Sequence, residues 1–287
     1  MKKNIPYEYN PKSIKYHVKK YLLKNQSRIK GKKVVDLPAG NGVTTRILND
    51  TGAIPIPFDL FPEYFNVDGI TCQYADIMKN IPLDDKSVEF ALCQEGIEHF
   101  SDQFHALKEF NRILKMNGSL IITTPNYSNL RARLSYFLSE CERFNSIMPP
   151  NEIDSIWMSK QNDSSNIYFG HVFLIGIQKL RVLAKIAGFK IKHIQFTQAK
   201  STSLVLLLLT YPFIWLSSTI NYIKNCRKNK GVDKEFQNKT YKEIYKLNIN
   251  PSVLIDGHLF VEFEKEKDYK DVPKSLKSVH KSFNENT

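Results

Sequence analysis

The chain has 287 residues, a formal net charge of +12, four cysteines and 42 % hydrophobic residues, which agrees with one soluble globular domain carrying an insertion. Cys72, Cys93, Cys141 and Cys226 are scattered with no C-x-x-C pair, which argues against a zinc site and a disulfide framework and suits a reducing compartment. No apolar stretch follows the opening lysines, so the expected location is cytoplasmic rather than secreted.

In chain order, residues 1–31 form a basic segment. Over residues 1–33 there are eleven lysines or arginines against the single acid Glu8. Ile14, Val18, Tyr21 and Leu22 recur at helical spacing between Ser13 and Asn25, predicting a basic amphipathic helix. It would serve as a solvated cap on a sheet, a nucleic-acid patch, or a patch for anionic lipid or a polyanionic substrate. Next comes Val34-Val35-Asp36-Leu37-Pro38-Ala39-Gly40-Asn41-Gly42, an apolar strand ending in an acid and a two-glycine turn, with a helical pattern starting at Thr44. Glycine suits a sharp turn or a ligand pressed against bare backbone. A dinucleotide fingerprint would place a third glycine at position 45, where this chain has Thr45. Ala53 to Phe58 reads as a second strand running into Asp59, and Ile70 to Ala75 as a third running into Asp76-Ile77. A carboxylate at the end of the second strand can accept both hydroxyls of a ribose.

Ile81 to Leu92 reads as a proline-acid loop leading into a fourth strand, followed by Cys93-Gln94-Glu95-Gly96-Ile97-Glu98-His99. Leu107, Phe110, Ile113 and Leu114 predict a helix over 107–114, broken at Asn117-Gly118, and Ser119 to Thr124 a fifth strand. This ordered set resembles the class I S-adenosylmethionine-dependent methyltransferases over roughly Lys32 to Thr197. Pro38 stands where that family's usual first glycine falls, and Ala39 where it commonly has a cysteine or small residue. The resemblance implies a Rossmann-like α/β fold with a seven-stranded, mostly parallel sheet, an antiparallel last strand and helices on both faces. It implies S-adenosyl-L-methionine as cofactor, held by Asp36, Pro38, Ala39, Gly40, Gly42, Asp59 with Leu60, Asp76 with Ile77, and the backbone of Gln94 and Glu95. It also implies an acceptor-binding lid in the irregular, aromatic-bearing stretch Tyr127 to Phe169.

The expected reaction is O-methylation of a small-molecule, glycan or lipid-linked acceptor. A hydroxyl acceptor needs a base, and His99 and His171 are the candidates. No carboxylate–histidine set in the sequence looks like a metal site, so no metal is expected. Gln94-Glu95-Gly96-Ile97 lacks the Pro-Pro-aromatic turn of enzymes that methylate base amines, which disfavours nucleic acid as a partner. Two other readings stay open: a nucleotide-dependent oxidoreductase, opposed by Thr45 and Glu98-His99, and an inactive S-adenosylmethionine-binding partner protein at a membrane.

Gln178 to Gly188 predicts a helix, Lys190 to Thr197 a sixth strand and Gly257 to Glu264 a seventh. Residues 32–199 are thus the expected core, 200–250 an insertion, 251–265 the returning final strand and 266–287 a solvated polar tail. The insertion contains the apolar run Leu204 to Leu216, continuing to Ile223, with Lys224, Arg227, Lys228 and Lys230 behind it. A single span would strand the last sheet strand across the membrane. The expected alternatives are a hairpin bent at Pro212 that dips into one leaflet, with membrane contact through 204–223, or a helix packed on the domain or a partner.

Overall fold

The computed structural model describes residues 6–141, 148–157, 167–228 and 231–280. The strands are β1 (Lys33–Asp36), β2 (Ile54–Asp59), β3 (Gln73–Tyr74), β4 (Val88–Gln94), β5 (Leu114–Pro125), β6 (Phe189–Ile194) and β7 (His258–Lys265). The α-helices are α1 (Ile14–Lys24), α2 (Gln26–Ile29), α3 (Val43–Asp50), α4 (Gln103–Ile113), α5 (Leu130–Ser139), α6 (Glu152–Ser155), α7 (Ile177–Ile186), α8 (Ser201–Arg227), α9 (Lys234–Asn248), α10 (Pro251–Ile255) and α11 (Val272–Ser278).

Alternation along the strands sends neighbouring side chains to opposite faces of one sheet. Val34, Leu92, Ile121 and Phe260 join α1 and α3 in one apolar layer. Their neighbours Val35, Ala91, Cys93, Ile122 and Val261 join α4 and α7 in the other. The strand order is β3-β2-β1-β4-β5-β7-β6. All contacts among β1 to β5 are parallel, and β7 runs antiparallel between β5 and β6. This is the Rossmann-like architecture expected from the sequence. Because the first five strands are parallel, the ends of β1, β2, β3 and β4 all reach one edge of the sheet, where crossover folds build their sites.

The basic N-terminal helix is a cap on the sheet: Ile14, Val18, Tyr21 and Leu22 are buried, and Ser13 Oγ accepts from the Lys15 backbone N–H. Several expectations shift. The third strand shrinks to two residues because it is an edge pairing only with β2. The helix predicted from Leu107 begins at Gln103, after Asp102 accepts from the His105 N–H at 2.8 Å, and stops at Ile113. Asn117-Gly118 does not separate two elements; it sits within β5, where the register with β4 slips between Val88 and Phe90. The lid stretch, expected to be irregular, holds α5 and α6, each started by an asparagine (Asn129, Asn151) whose side chain accepts from first-turn N–H groups. The end of β7 and the tail behind it are not simply solvated either. Lys265 is fully buried, donating to the carbonyls of Asn111 and Leu114 and pairing with Asp268 at 2.6 Å, and α11 follows. Residues 281–287 lie outside the described residues.

Glu262, buried on β7, ties the N-terminal cap to the sheet. Burial alone would raise its carboxyl, but hydrogen bonds from Arg28, Tyr21 and Ser119 outweigh that and hold it at about 2. Because the folded value lies below the ordinary 4.5, the carboxylate contributes stability above that pH and loses it as pH falls from 4.5 towards 2. Glu262→Gln is expected to cost ~2–3 kcal/mol near pH 7 and to flatten the acid limb of a urea-stability profile. An unchanged acid limb would mean the pair carries no linkage.

Candidate active site

β1 ends at Asp36, whose Oδ2 accepts from Thr45 Oγ1 at 2.6 Å while Oδ1 is buried without a partner. Burial pushes this carboxyl up to about 7. The turn after it contains the cis peptide Leu37–Pro38 and two left-handed glycines, Gly40 at φ +55° and Gly42 at φ +84°. The two glycines do different things. A Cβ on Gly42 would fall 2.3 Å from Val67 Cγ2 and 2.8 Å from Phe65 Cε2, so this position packs the following loop. A Cβ on Gly40 would meet nothing within 4 Å. Its N–H donates to Asp59 Oδ2 at 2.7 Å, and the Phe61 N–H donates to Oδ1 at 2.9 Å. The acid ending β2 is therefore aimed back across the glycine turn.

Beside this turn lies a cavity of ≈ 470 Å³. Of the residues expected from the sequence, Pro38, Asp59, Leu60, Asp76, Ile77, Glu95 and His99 line it. Asp36, Ala39, Gly40, Gly42, Gln94 and His171 are not among its lining residues. Asp36 and Gln94 instead brace the turn: Gln94 Oε1 accepts from Thr44 Oγ1 at 2.8 Å. The wall carries residues the sequence reading missed. Phe61 forms edge contacts with Trp157 (4.8 Å between centroids) and Tyr168 (5.0 Å), closing the cavity with the two lid aromatics. The signal was available, since Phe61 follows Asp59 by two residues and loop aromatics are seldom left without a surface to cover.

The turn after β4 supplies the polar end. Glu95 takes a left-handed φ of +49°, uncommon for a residue with a side chain, and Gly96 lies so close that a Cβ would sit 2.4 Å from Pro38 Cδ. Burial, then the neighbouring Glu98 carboxyl, raise Glu95 to about 8. Burial lowers His258 to about 4. Their 3.7 Å approach at neutral pH is thus between a protonated acid and a neutral imidazole, not an ion pair.

His99 Nδ1 lies 2.9 Å from the carbonyl oxygens of both Phe169 and Gly170. Both partners only accept, so Nδ1 carries the hydrogen and the neutral ring keeps its lone pair on Nε2. His171 stands 4.9 Å from His99, ring centre to ring centre. Glu98 is fully buried, with Oε2 accepting from Thr124 Oγ1 and Oε1 left without a partner. One donor atom from each of Glu98, His99 and His171 lies within 4.8 Å of the others. A carboxylate–histidine set that local spacing did not display is thus brought together by the fold. The trio could ligate a cation or pass a proton, and the 71 residues between His99 and His171 hid it from a reading by local spacing.

A family model described as a methyltransferase domain matches residues 8–194. The chain belongs to the class I S-adenosylmethionine-dependent methyltransferase family. Among its relatives is an uncharacterised methyltransferase-like protein of Schizosaccharomyces pombe, 34 % identical over 30 % of this chain and 36 % of that protein. A ubiquinone biosynthesis O-methyltransferase of Methylococcus capsulatus is 27 % identical over 37 % of this chain and 49 % of its own. The chain spans about half or less of the length of such curated relatives. In fold, the chain is similar to a SAM-dependent methyltransferase from Archaeoglobus fulgidus, with a TM-score of 0.51, 15 % identity, and coverage of 90 % of this chain and 98 % of that one.

Proposed function

We propose that this methyltransferase moves a methyl group from S-adenosyl-L-methionine to an oxygen of a small apolar acceptor, with a phenolic or quinol-type hydroxyl as the favoured class. The observation that carries this reading is one cavity bearing the carboxylates Asp59 and Asp76 together with His99. From β3 through β2 and β1 to β4, these groups are spread across a span of ~14 Å, three strand spacings. The residues fit the cofactor: Asp59 and Leu60 would hold the ribose and Asp76 and Ile77 the adenine, and the Gly40 turn beside the cavity presents bare backbone with no protein atom within 4 Å of its missing Cβ. When bound, S-adenosylmethionine supplies a methyl already activated by its sulfonium.

The remaining tasks fall to the chain. The apolar and aromatic wall of Ile77, Met78, Phe61, Trp157 and Tyr168 favours a flat, poorly hydrated acceptor and excludes water from it. His99 Nε2 accepts the hydroxyl proton, while Nδ1–H, fixed by two carbonyls, holds the ring in the tautomer that can do so. The name of the Methylococcus relative points to the same acceptor class. Release of S-adenosylhomocysteine across a panel of phenolic, quinol and glycosyl hydroxyl acceptors tests the reading. Turnover confined to glycosyl acceptors would overturn the acceptor class.

Asp59→Ala is expected to weaken S-adenosylhomocysteine binding by ~1.5–3 kcal/mol, the scale of hydrogen bonds to a charged group, as titration calorimetry would read. Unchanged affinity with an intact circular dichroism spectrum would falsify the ribose assignment.

A further inference from the structure

α8 runs unbroken for 27 residues from Ser201 to Arg227, straight through Pro212, about 40 Å of helix. The hairpin expected at Pro212 is therefore absent, and so is core packing: Ser203 is the helix's one buried residue. By length and composition α8 is apolar enough to cross a membrane. Its two sides differ, however. At one helical spacing, Tyr211, Thr219 and Tyr222 face α9. Tyr211 Oη donates to the Ile249 carbonyl at 3.1 Å, Thr219 Oγ1 lies 3.3 Å from Tyr245 Oη, and the Tyr222 and Tyr245 rings stack at 5.2 Å. On the other side Val205, Leu208, Leu209, Phe213, Leu216 and Ile220 form a stripe, each 43–83 % exposed. An exposed apolar patch this long is rare on a soluble monomer and marks a contact surface.

We infer that α8 lies in the plane of an anionic lipid surface, stripe down, and does not span it. Charge complementarity selects the lipid. Residues 200–228 contain no acid, while Lys200 precedes the helix and Lys224, Arg227 and Lys228 follow its stripe. α9 selects the orientation. It is fastened to the domain by Gln178, whose amide donates to the Ile244 carbonyl and to Asn248, by the Arg181–Glu243 pair, and by Leu247 in the core. A spanning α8 would have to tear away from α9 or drag its lysines and glutamates into hydrocarbon. Lying flat costs neither. α5, which follows the end of β5 at the cavity's edge of the sheet, packs on α8 and adds the exposed Phe137 and Leu138. The surface thus begins beside the site.

The full chain is tested by flotation with phosphatidylcholine vesicles, with and without 30–40 mol % phosphatidylglycerol as a roughly physiological anionic load. Binding to the anionic vesicles is expected, only partly reversed by high salt, because apolar burial is not screened. Leu208→Glu with Phe213→Glu should lower vesicle partition by at least about 10-fold, with S-adenosylhomocysteine affinity and melting temperature unchanged, since both side chains face solvent. In Trp157→Phe with Trp215→Phe, the further change Phe213→Trp puts the single tryptophan on the exposed stripe near the middle of α8. In-plane, it should be quenched best by shallow brominated lipids, ~5–10 Å into the boundary; strongest quenching by deep bromines, ~15 Å down, would mean a span and overturn the orientation. No binding to either vesicle, or a dimer in sedimentation that the double variant turns to monomer without any vesicle binding, would overturn the lipid assignment. Retained cofactor affinity in those cases would leave the proposed transferase reading standing.

Discussion

Gly40→Val is expected to weaken S-adenosylhomocysteine binding by roughly 100-fold or more while most of the fold survives. Gly40 holds a φ of +55°, which a β-branched residue resists. Its missing Cβ points at space that no protein atom fills within 4 Å, so nothing in the protein itself is struck by the new side chain. What is lost is the close approach of a ligand to bare backbone, together with the alignment of the N–H that Asp59 accepts. Gly42→Ala supplies the contrast. There the added Cβ collides with Val67 and Phe65, so the expected damage is to melting temperature first and to binding second. Calorimetry and thermal melts on the two variants separate these effects. Wild-type affinity in Gly40→Val would show that the turn faces something other than the cofactor.

His99→Ala should lower kcat by about 10²- to 10⁴-fold on the acceptor found by the panel, with a much smaller change in KM. The reason is the fixed tautomer: two carbonyls hold Nδ1–H, which leaves Nε2 as the base. His171→Ala is expected to fall between wild type and His99→Ala, because His171 sits behind His99 and does not line the cavity. A kcat within a few-fold of wild type for His99→Ala would remove it from the reaction. Loss of wild-type activity on chelation, restored by a divalent cation, would reassign Glu98, His99 and His171 to metal ligation.

Much of the scaffold was legible because it is written locally. Alternation marks β2 and β7 to within one residue of their observed bounds, an apolar run marks β1, and Ser13 and Asn25 bracket α1 as its caps. Where local signals failed, a neighbour decided. Asn117-Gly118 looks like a break, yet β4 pairs with Leu114 before it and Ser119 after it, so one strand runs through a bulge there. The polar end looks solvated, yet Lys265 at the close of β7 donates to two buried backbone carbonyls and pairs with Asp268.

The site divides in the same way. The carboxylates at the ends of β2 and β3 and the two-glycine turn are local in sequence, so the sequence by itself determined them as candidates for one ligand. It also determined the apolar, acid-free character of 204–223. Only the tertiary structure brought Phe61 against Trp157 and Tyr168, or set Glu98 and His99 beside His171. Only packing on α9 made one side of α8 a protein contact and left the other bare. Hydrophobicity along a chain records how much apolar surface must be covered. Which surface stays uncovered depends on what the rest of the fold places against it.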